Sequence, residues 1–202
     1  MKLFLVVGLQ RTGTTLLASM LGRHSEINML FESVNHDVLN LIGKKYNGNK
    51  LLAYRQIRKS TRASKWGHLI NRVVNLDFYR NNKHHLLRPY PTSHMSINDY
   101  KSKGAIFITI ERDKDSSIKS MIKRAGQTYI QANKEYELGM SIIKELKQEG
   151  AYSLRFIDLI NDSEKVLKEI CLLLELDYEE KMMEGPQYNF VYPNKKIIKK
   201  ES

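Results

Sequence analysis

The chain has one cysteine, four prolines and no long apolar run. The lone Cys171 excludes a disulfide framework and any cysteine-based zinc cluster. It fits a reducing compartment. Four prolines and eleven glycines in 202 residues exclude collagen-like and low-complexity character. No stretch approaches the roughly 20 apolar residues of a membrane helix. The start, Met1-Lys2 and then Leu3 to Val7, imitates a secretion signal. Its apolar run is too short, Arg11 follows closely, and no small-residue cleavage site comes next. A cytoplasmic location is therefore expected. Acidic residues are also scarce: 22 Asp+Glu stand against 33 Lys+Arg, a net charge of +11. That balance favours anions, whether nucleic acid, an anionic membrane surface or a phosphorylated small ligand. Four lysines crowd the end of the chain, at 195, 196, 199 and 200.

With 42% apolar and 27% charged residues, the composition is that of a globular protein. The length predicts a single domain over 1–194, followed by a solvated basic tail over 195–202. Leu3–Val7 reads as a buried parallel strand. Leu16, Leu17, Met20 and Leu21 recur at helical spacing over 14–23. A second strand is expected over 26–30, the clearest strand over 105–110, and another over 151–156. Helices are predicted over 37–45, 51–59, 69–79, 132–148 and 162–174, one follows the 105–110 strand to about Arg124, and a short one lies near 178–183. Residues 83–91 read as a loop. Strands alternating with helices predict a three-layer α/β fold, a mainly parallel central sheet flanked by helices. Such sheets bind ligands beyond the carboxyl ends of their strands.

Two segments after strands carry chemistry. Gly8-Leu9-Gln10-Arg11-Thr12-Gly13-Thr14-Thr15 has the strand–loop–helix form of a phosphate-binding loop, with two glycines spaced by four residues. Glycine lets the backbone approach an anion, and the helix start presents N–H groups. The nucleoside-triphosphatase loop has lysine where Thr14 stands here. The cation is Arg11 instead, whose forked guanidinium suits a terminal oxyanion. In the second segment, Arg112 follows the 105–110 strand. Ser116, Ser120 and Arg124 then share one helix flank at i, i+4 and i+8. Ile118, Met121 and Ile122 form the expected core stripe. Together these make a second anion site. Glu32, just past a strand end, reads in isolation as a surface carboxylate. His84-His85 diverge on any regular element, so no metal site is expected. His24 reads as a packing or capping residue, Cys171 as core, and Trp66 as core or pocket lining.

These motifs resemble the sulfotransferases that use 3′-phosphoadenosine 5′-phosphosulfate (PAPS), which have a P-loop-like fold. The tyrosylprotein type is the most similar: Arg-x-Gly-Thr-Thr-Leu, then His24 and Glu32 at thirteen and twenty-one residues after Arg11. Arg112-Asp113 and Ser120-Met121-Ile122-x-Arg124 resemble the family's 3′-phosphate motif. Phe156-Ile157-Asp158-Leu159 resembles its Tyr-Glu-Asp-Leu stretch, with Phe and Ile at the first two positions. The resemblance implies that Arg11, Thr12, Gly13, Thr14 and Thr15 hold the 5′-phosphosulfate and Arg112, Ser120 and Arg124 the 3′-phosphate. It implies that Glu32 takes the acceptor's proton and that Phe156 contacts adenine. It also implies a lysine between the two motifs that steadies the sulfonate, for which Lys65 and Lys83 are candidates. The implied acceptor bears a hydroxyl, on a glycan, lipid, peptide or small metabolite, and no nucleic acid or metal takes part. Residues 192–200 would be a short substitute for the family's nucleotide-covering loop. Two other readings stand beside it: a P-loop kinase, with Glu111 as its acid, and a non-enzymatic nucleic-acid binder.

Overall fold

A computed structural model describes residues 1–59 and 95–188. Its sheet has five strands: β1 (Lys2–Gly8), β2 (Ile27–Phe31), β3 (Tyr46–Leu52), β4 (Ile106–Glu111) and β5 (Tyr152–Arg155). Their order is β2-β3-β1-β4-β5, and every pairing is parallel. Helices α1 (Thr14–Leu21), α2 (Ile97–Ser102), α3 (Lys114–Ala125), α4 (Tyr129–Gln148), α5 (Phe156–Asn161) and α6 (Ser163–Leu173) connect and cover them. This is the three-layer arrangement expected from the alternating pattern.

Strand β1 explains why the sheet has two cores. It has a partner on each side, so its residues from Leu3 onward are buried. Phe4 and Val6 point to one face, where they meet Leu17 and Leu21 of α1 and Leu167 and Ile170 of α6. Leu3, Leu5 and Val7 point to the other, against Ile118 and Met121 of α3 and Ile143 and Leu146 of α4. Each such side chain contributes about 1.5–3 kcal/mol by leaving water. Cys171 lies in the first core, as expected.

Strand β3 lies between two segments for which the sequence predicts helix, and overlaps the second only at Leu51 and Leu52. The expected helix over 37–45 is a single 3-10 turn, His36–Leu39. The expected helix over 51–59 is the end of β3 and a turn closed by an Ala53–Ile57 bridge. Tyr-Asn-Gly-Asn-Lys has the composition of a turn, yet all seven residues of β3 are buried. Several of its polar groups are answered by partners outside the strand. Asn47 Nδ2 donates to the carbonyls of Val38 and Leu41, both at 2.9 Å. Asn49 Nδ2 donates to Tyr100 Oη at 3.0 Å. Gly48 is required because the Phe4 ring fills the space a Cβ would take, 2.2 Å from Phe4 Cζ.

Smaller departures have local causes. Phe156 opens α5 rather than closing a strand. Helix α4 starts at Tyr129, ahead of the expected 132, because Thr128 and Gln131 form a capping box. Ile122 is exposed, and Ser117 takes its place on the buried side of α3. A 3-10 segment, Glu180–Tyr188, stands near the expected short helix. It is tied to the turn after α1, where Arg23 pairs with Glu184 at 3.3 Å, and just ahead of it the Asp177 carbonyl accepts from His24 Nε2 at 2.8 Å. His24 Nδ1 accepts from the Glu26 N–H, so His24 is a structural clasp. The expected helix over 69–79, the loop over 83–91, Lys65, Trp66, Lys83, His84-His85 and the tail lie outside the described residues.

Candidate active site

The loop between β1 and α1 sits at the point where the chain leaves the middle of the sheet. The connections leaving the adjacent strands β1 and β3 go to opposite sides of the sheet, the topological switch at which such sheets bind ligands. Gly13 caps α1 at φ 93°, a left-handed conformation that favours glycine. A Cβ there would come 2.4 Å from the Phe156 ring. Arg11 also has positive φ, at 71°. Thr12 is fully buried and its hydroxyl donates to the Leu9 carbonyl at 2.8 Å, so its side chain braces the loop from inside. Thr14 is buried as well, while Thr15 accepts from Ser19 Oγ through its carbonyl. The first-turn N–H groups of α1 have no acceptor within the helix and carry partial positive charge.

The second anion segment meets this loop directly. Arg112 Nη1 donates to the carbonyl oxygen of Arg11 at 3.1 Å. Arg11 Nε donates in turn to Ser120 Oγ at 3.3 Å. The Arg112 guanidinium lies over the Phe156 ring, 4.7 Å from its centroid. Phe156 therefore stands under Arg112 and beside Gly13. Asp113 caps α3 by accepting from Ser116 N–H at 2.8 Å, and those contacts hold its carboxyl below the usual range. The cap fixes where α3 starts and hence where Ser120 falls. Arg124, one turn beyond Ser120, is exposed.

Glu32 follows β2 with φ 61°, and its N–H donates to the Lys50 carbonyl at 2.8 Å. Its Oε1 accepts from Lys50 Nζ, and its Oε2 accepts from Gln56 Nε2 at 2.5 Å. The Lys50 side chain is 2% exposed and that of Glu32 36%. Burial pushes the Lys50 ammonium below the ordinary lysine value, against the opposing pull of Glu32. The turn that carries Gln56 is tied to the root of the β1–α1 loop, since Ala53 N–H donates to the Gly8 carbonyl at 2.9 Å.

Lys50 and Gln56 escape the sequence reading because strand β3 does. The one available signal was the apolar run Leu51-Leu52-Ala53 directly after Lys50, a pattern shared with many helices. Among the described residues no group of three or more His, Cys, Asp or Glu gathers to hold a metal ion. Among them no helix is long and apolar enough to cross a membrane.

A sequence profile described as "Sulfotransferase family" matches residues 4–180. The fold is similar to the sulfotransferase domain from the curacin biosynthetic pathway, at 17% identity and TM-score 0.51, over 92% of this chain and 78% of that one. It is similar to mouse sulfotransferase SULT7A1 complexed with PAP, at 13% identity and TM-score 0.56, over 95% and 65% of the two chains. It is also similar to the sulfotransferase domain from the Synechococcus PCC 7002 olefin synthase, at 17% identity and TM-score 0.51, over 91% and 77%. At these identities the likeness is one of fold. No curated protein sequence matches the chain.

Proposed function

The chain belongs to the sulfotransferase family, and from that premise we propose that it moves a sulfonate group from PAPS to a hydroxyl acceptor, releasing 3′,5′-ADP. The observation that carries this reading is the hydrogen bond from Arg112 to the Arg11 carbonyl, which holds the two arginine-bearing segments together. A nucleotide charged at both its 3′ and 5′ ends fits that donor set. A mouse structure of similar fold is described as complexed with PAP, which supports the same donor. Thr14 in place of the nucleoside-triphosphatase lysine speaks against ATP.

In this reading Arg11 and the first-turn N–H groups of α1 receive the 5′-phosphosulfate. Arg112, Ser120 and Arg124 receive the 3′-phosphate. Thr12 shapes the loop through its bond to Leu9. Phe156 acts as a floor for Arg112 and Gly13, a role its contacts support better than adenine stacking.

Glu32 removes the acceptor's hydroxyl proton as the new oxygen–sulfur bond forms. The bridging sulfur–oxygen bond breaks, and negative charge collects on the departing phosphate. By analogy with phosphoryl transfer, the transition state is loose, so positioning and charge stabilisation dominate. Arg11 meets the departing charge. Lys50 serves as the lysine that the family resemblance implies beside the sulfonate. Its ammonium is nearly buried and paired with Glu32. Once Glu32 is protonated, that positive charge lacks its counterion and favours negative charge building nearby. The acceptor is a hydroxyl on a glycan, lipid, peptide or small metabolite, because donor motifs do not select among these.

Incubation with PAPS labelled in the sulfonate and a mixed panel of hydroxyl compounds tests the reading. Labelled product together with 3′,5′-ADP is expected. Turnover of ATP with Mg²⁺, and none of PAPS, would replace it with a kinase.

A further inference from the structure

We propose that Gln56 is a positioning residue for the base, holding the Glu32 carboxylate ionised and aimed by a hydrogen bond whose direction the backbone dictates. This rests on the reading of Glu32 as the base.

Amide orientation is usually ambiguous, because oxygen and nitrogen look alike. Here the surroundings decide it. The Gln56 side-chain oxygen, Oε1, accepts from the Leu52 N–H at 2.8 Å. A backbone N–H can only donate, so an oxygen must face it. The amide nitrogen is thereby turned toward Glu32 Oε2, which it meets at 2.5 Å. The main chain of Gln56 is fastened too: its N–H donates to the Leu52 carbonyl at 2.9 Å. Ala53 N–H ties the same turn to Gly8, at the root of the binding loop. The donor to the carboxylate is therefore rigid relative to the loop that receives the nucleotide.

The chemical consequence follows from what each neighbour can do. An N–H donor stabilises the carboxylate over the carboxylic acid, so it favours the form that accepts a proton. Lys50 also favours the anion, but its compact ammonium has three equivalent donors and sets direction less than a planar amide does. Gln56 is neutral and planar, and it holds one oxygen without adding charge. Among the described residues, Lys50 from β3 is the charged group shown bonded to Glu32, and it persists in Gln56 variants.

Two substitutions separate positioning from bulk packing. Gln56→Leu removes both hydrogen bonds at similar size. Gln56→Glu keeps an oxygen for the Leu52 N–H and turns a second carboxylate toward Glu32. The experiment follows the side-chain carboxyl of Glu32 by carbon-13 NMR across pH in full-length protein saturated with 3′,5′-ADP, with Glu32→Gln assigning the resonance. Relative to the parent, the titration midpoint is expected to rise by about one pH unit in Gln56→Leu, and further in Gln56→Glu through like-charge repulsion. Affinity for 3′,5′-ADP should stay within about twofold, and turnover of labelled PAPS should fall most on the acid side of its pH profile. Should Gln56→Leu fail to fold, Gln56→Glu carries the comparison. An unmoved midpoint in the folded variants would overturn the role of Gln56 and leave the base untouched. Unimpaired PAPS turnover by Glu32→Gln would instead remove Glu32 as the base, whatever the midpoints do.

Discussion

Arg112 reaches across 101 residues of sequence to donate a hydrogen bond to the main-chain oxygen of Arg11. The contact fastens the segment after β4 to the loop after β1. The same two segments are linked again by Arg11 and Ser120. Two segments that are far apart in the chain, each carrying an arginine, are thus held side by side.

Arg112→Ala is expected to weaken binding of 3′,5′-ADP by about 1.5–3 kcal/mol, the scale of a charged hydrogen bond, or roughly 10- to 150-fold. Arg112→Lys should recover little, because an ammonium cannot both stack flat on Phe156 and donate as a fork. Calorimetric titration of the two variants beside the parent checks both statements. An unchanged dissociation constant in the alanine variant would remove Arg112 from the site.

Gly13→Ala should damage stability and binding together. The added methyl would need a left-handed backbone and would meet Phe156 at 2.4 Å. Strain and overpacking of this kind cost about 1–3 kcal/mol. Denaturant midpoints measure the first effect and 3′,5′-ADP affinity the second. Full affinity in the variant would show that the loop tolerates a different shape.

Glu32 and Lys50 should respond unequally to substitution, because one is partly exposed and the other is not. Glu32→Ala strands a buried ammonium and should cost more stability than Lys50→Met, by about 1–2 kcal/mol given the exposure of the carboxylate. The pH sign follows from the lowered lysine value in the fold. Below the folded value of Lys50, both states hold the proton and the penalty of the buried charge is complete. As pH rises toward the ordinary lysine value, the folded state sheds its proton first and the penalty lessens. The deficit of Glu32→Ala should therefore narrow in alkali. Equal costs for the two substitutions at every pH would contradict this. Glu32→Gln, which keeps an acceptor for Lys50, should lower PAPS turnover by about 10²–10⁴-fold while leaving 3′,5′-ADP binding nearly intact.

Glu179 should govern acid sensitivity. Partial burial pushes its carboxyl up, but contacts from Ser25 and Lys181 outweigh this and hold it at about 2. Its oxygens take the Ser25 hydroxyl and, at 2.9 Å, the Ser25 N–H. The stabilisation is complete above the ordinary value of 4.5 and fades as pH falls toward 2. Glu179→Gln should thus be less stable than the parent at pH 7, and the gap should close in acid. Thermal unfolding at several pH values reads this directly.

What was legible in the sequence is what local pattern encodes. Leu3–Val7 is apolar throughout because β1 is covered on both faces, so it announces a buried parallel strand. Gly8 to Thr15 is legible because a left-handed Gly13 beside a helix start leaves a spacing in the chain. Glu32 is singled out by its distance from Arg11. Strand β3 is hidden because its buried Asn47, Asn49 and Lys50 are bonded by Val38, Leu41, Tyr100 and Glu32, and the pattern of residues 46–52 alone does not show those partners. Lys50 and Gln56 vanished with it. The exposed Ile122 was misplaced by a periodicity that cannot say which neighbour α3 will meet.

Calorimetric titration of the purified chain with 3′,5′-ADP, beside ATP with Mg²⁺, tests the joined anion sites most directly. Saturable one-to-one binding of 3′,5′-ADP, much tighter than that of ATP and lost in a combined Arg11→Ala, Arg112→Ala variant, is the expected result. Tight ATP–Mg²⁺ binding with no heat from 3′,5′-ADP would contradict it.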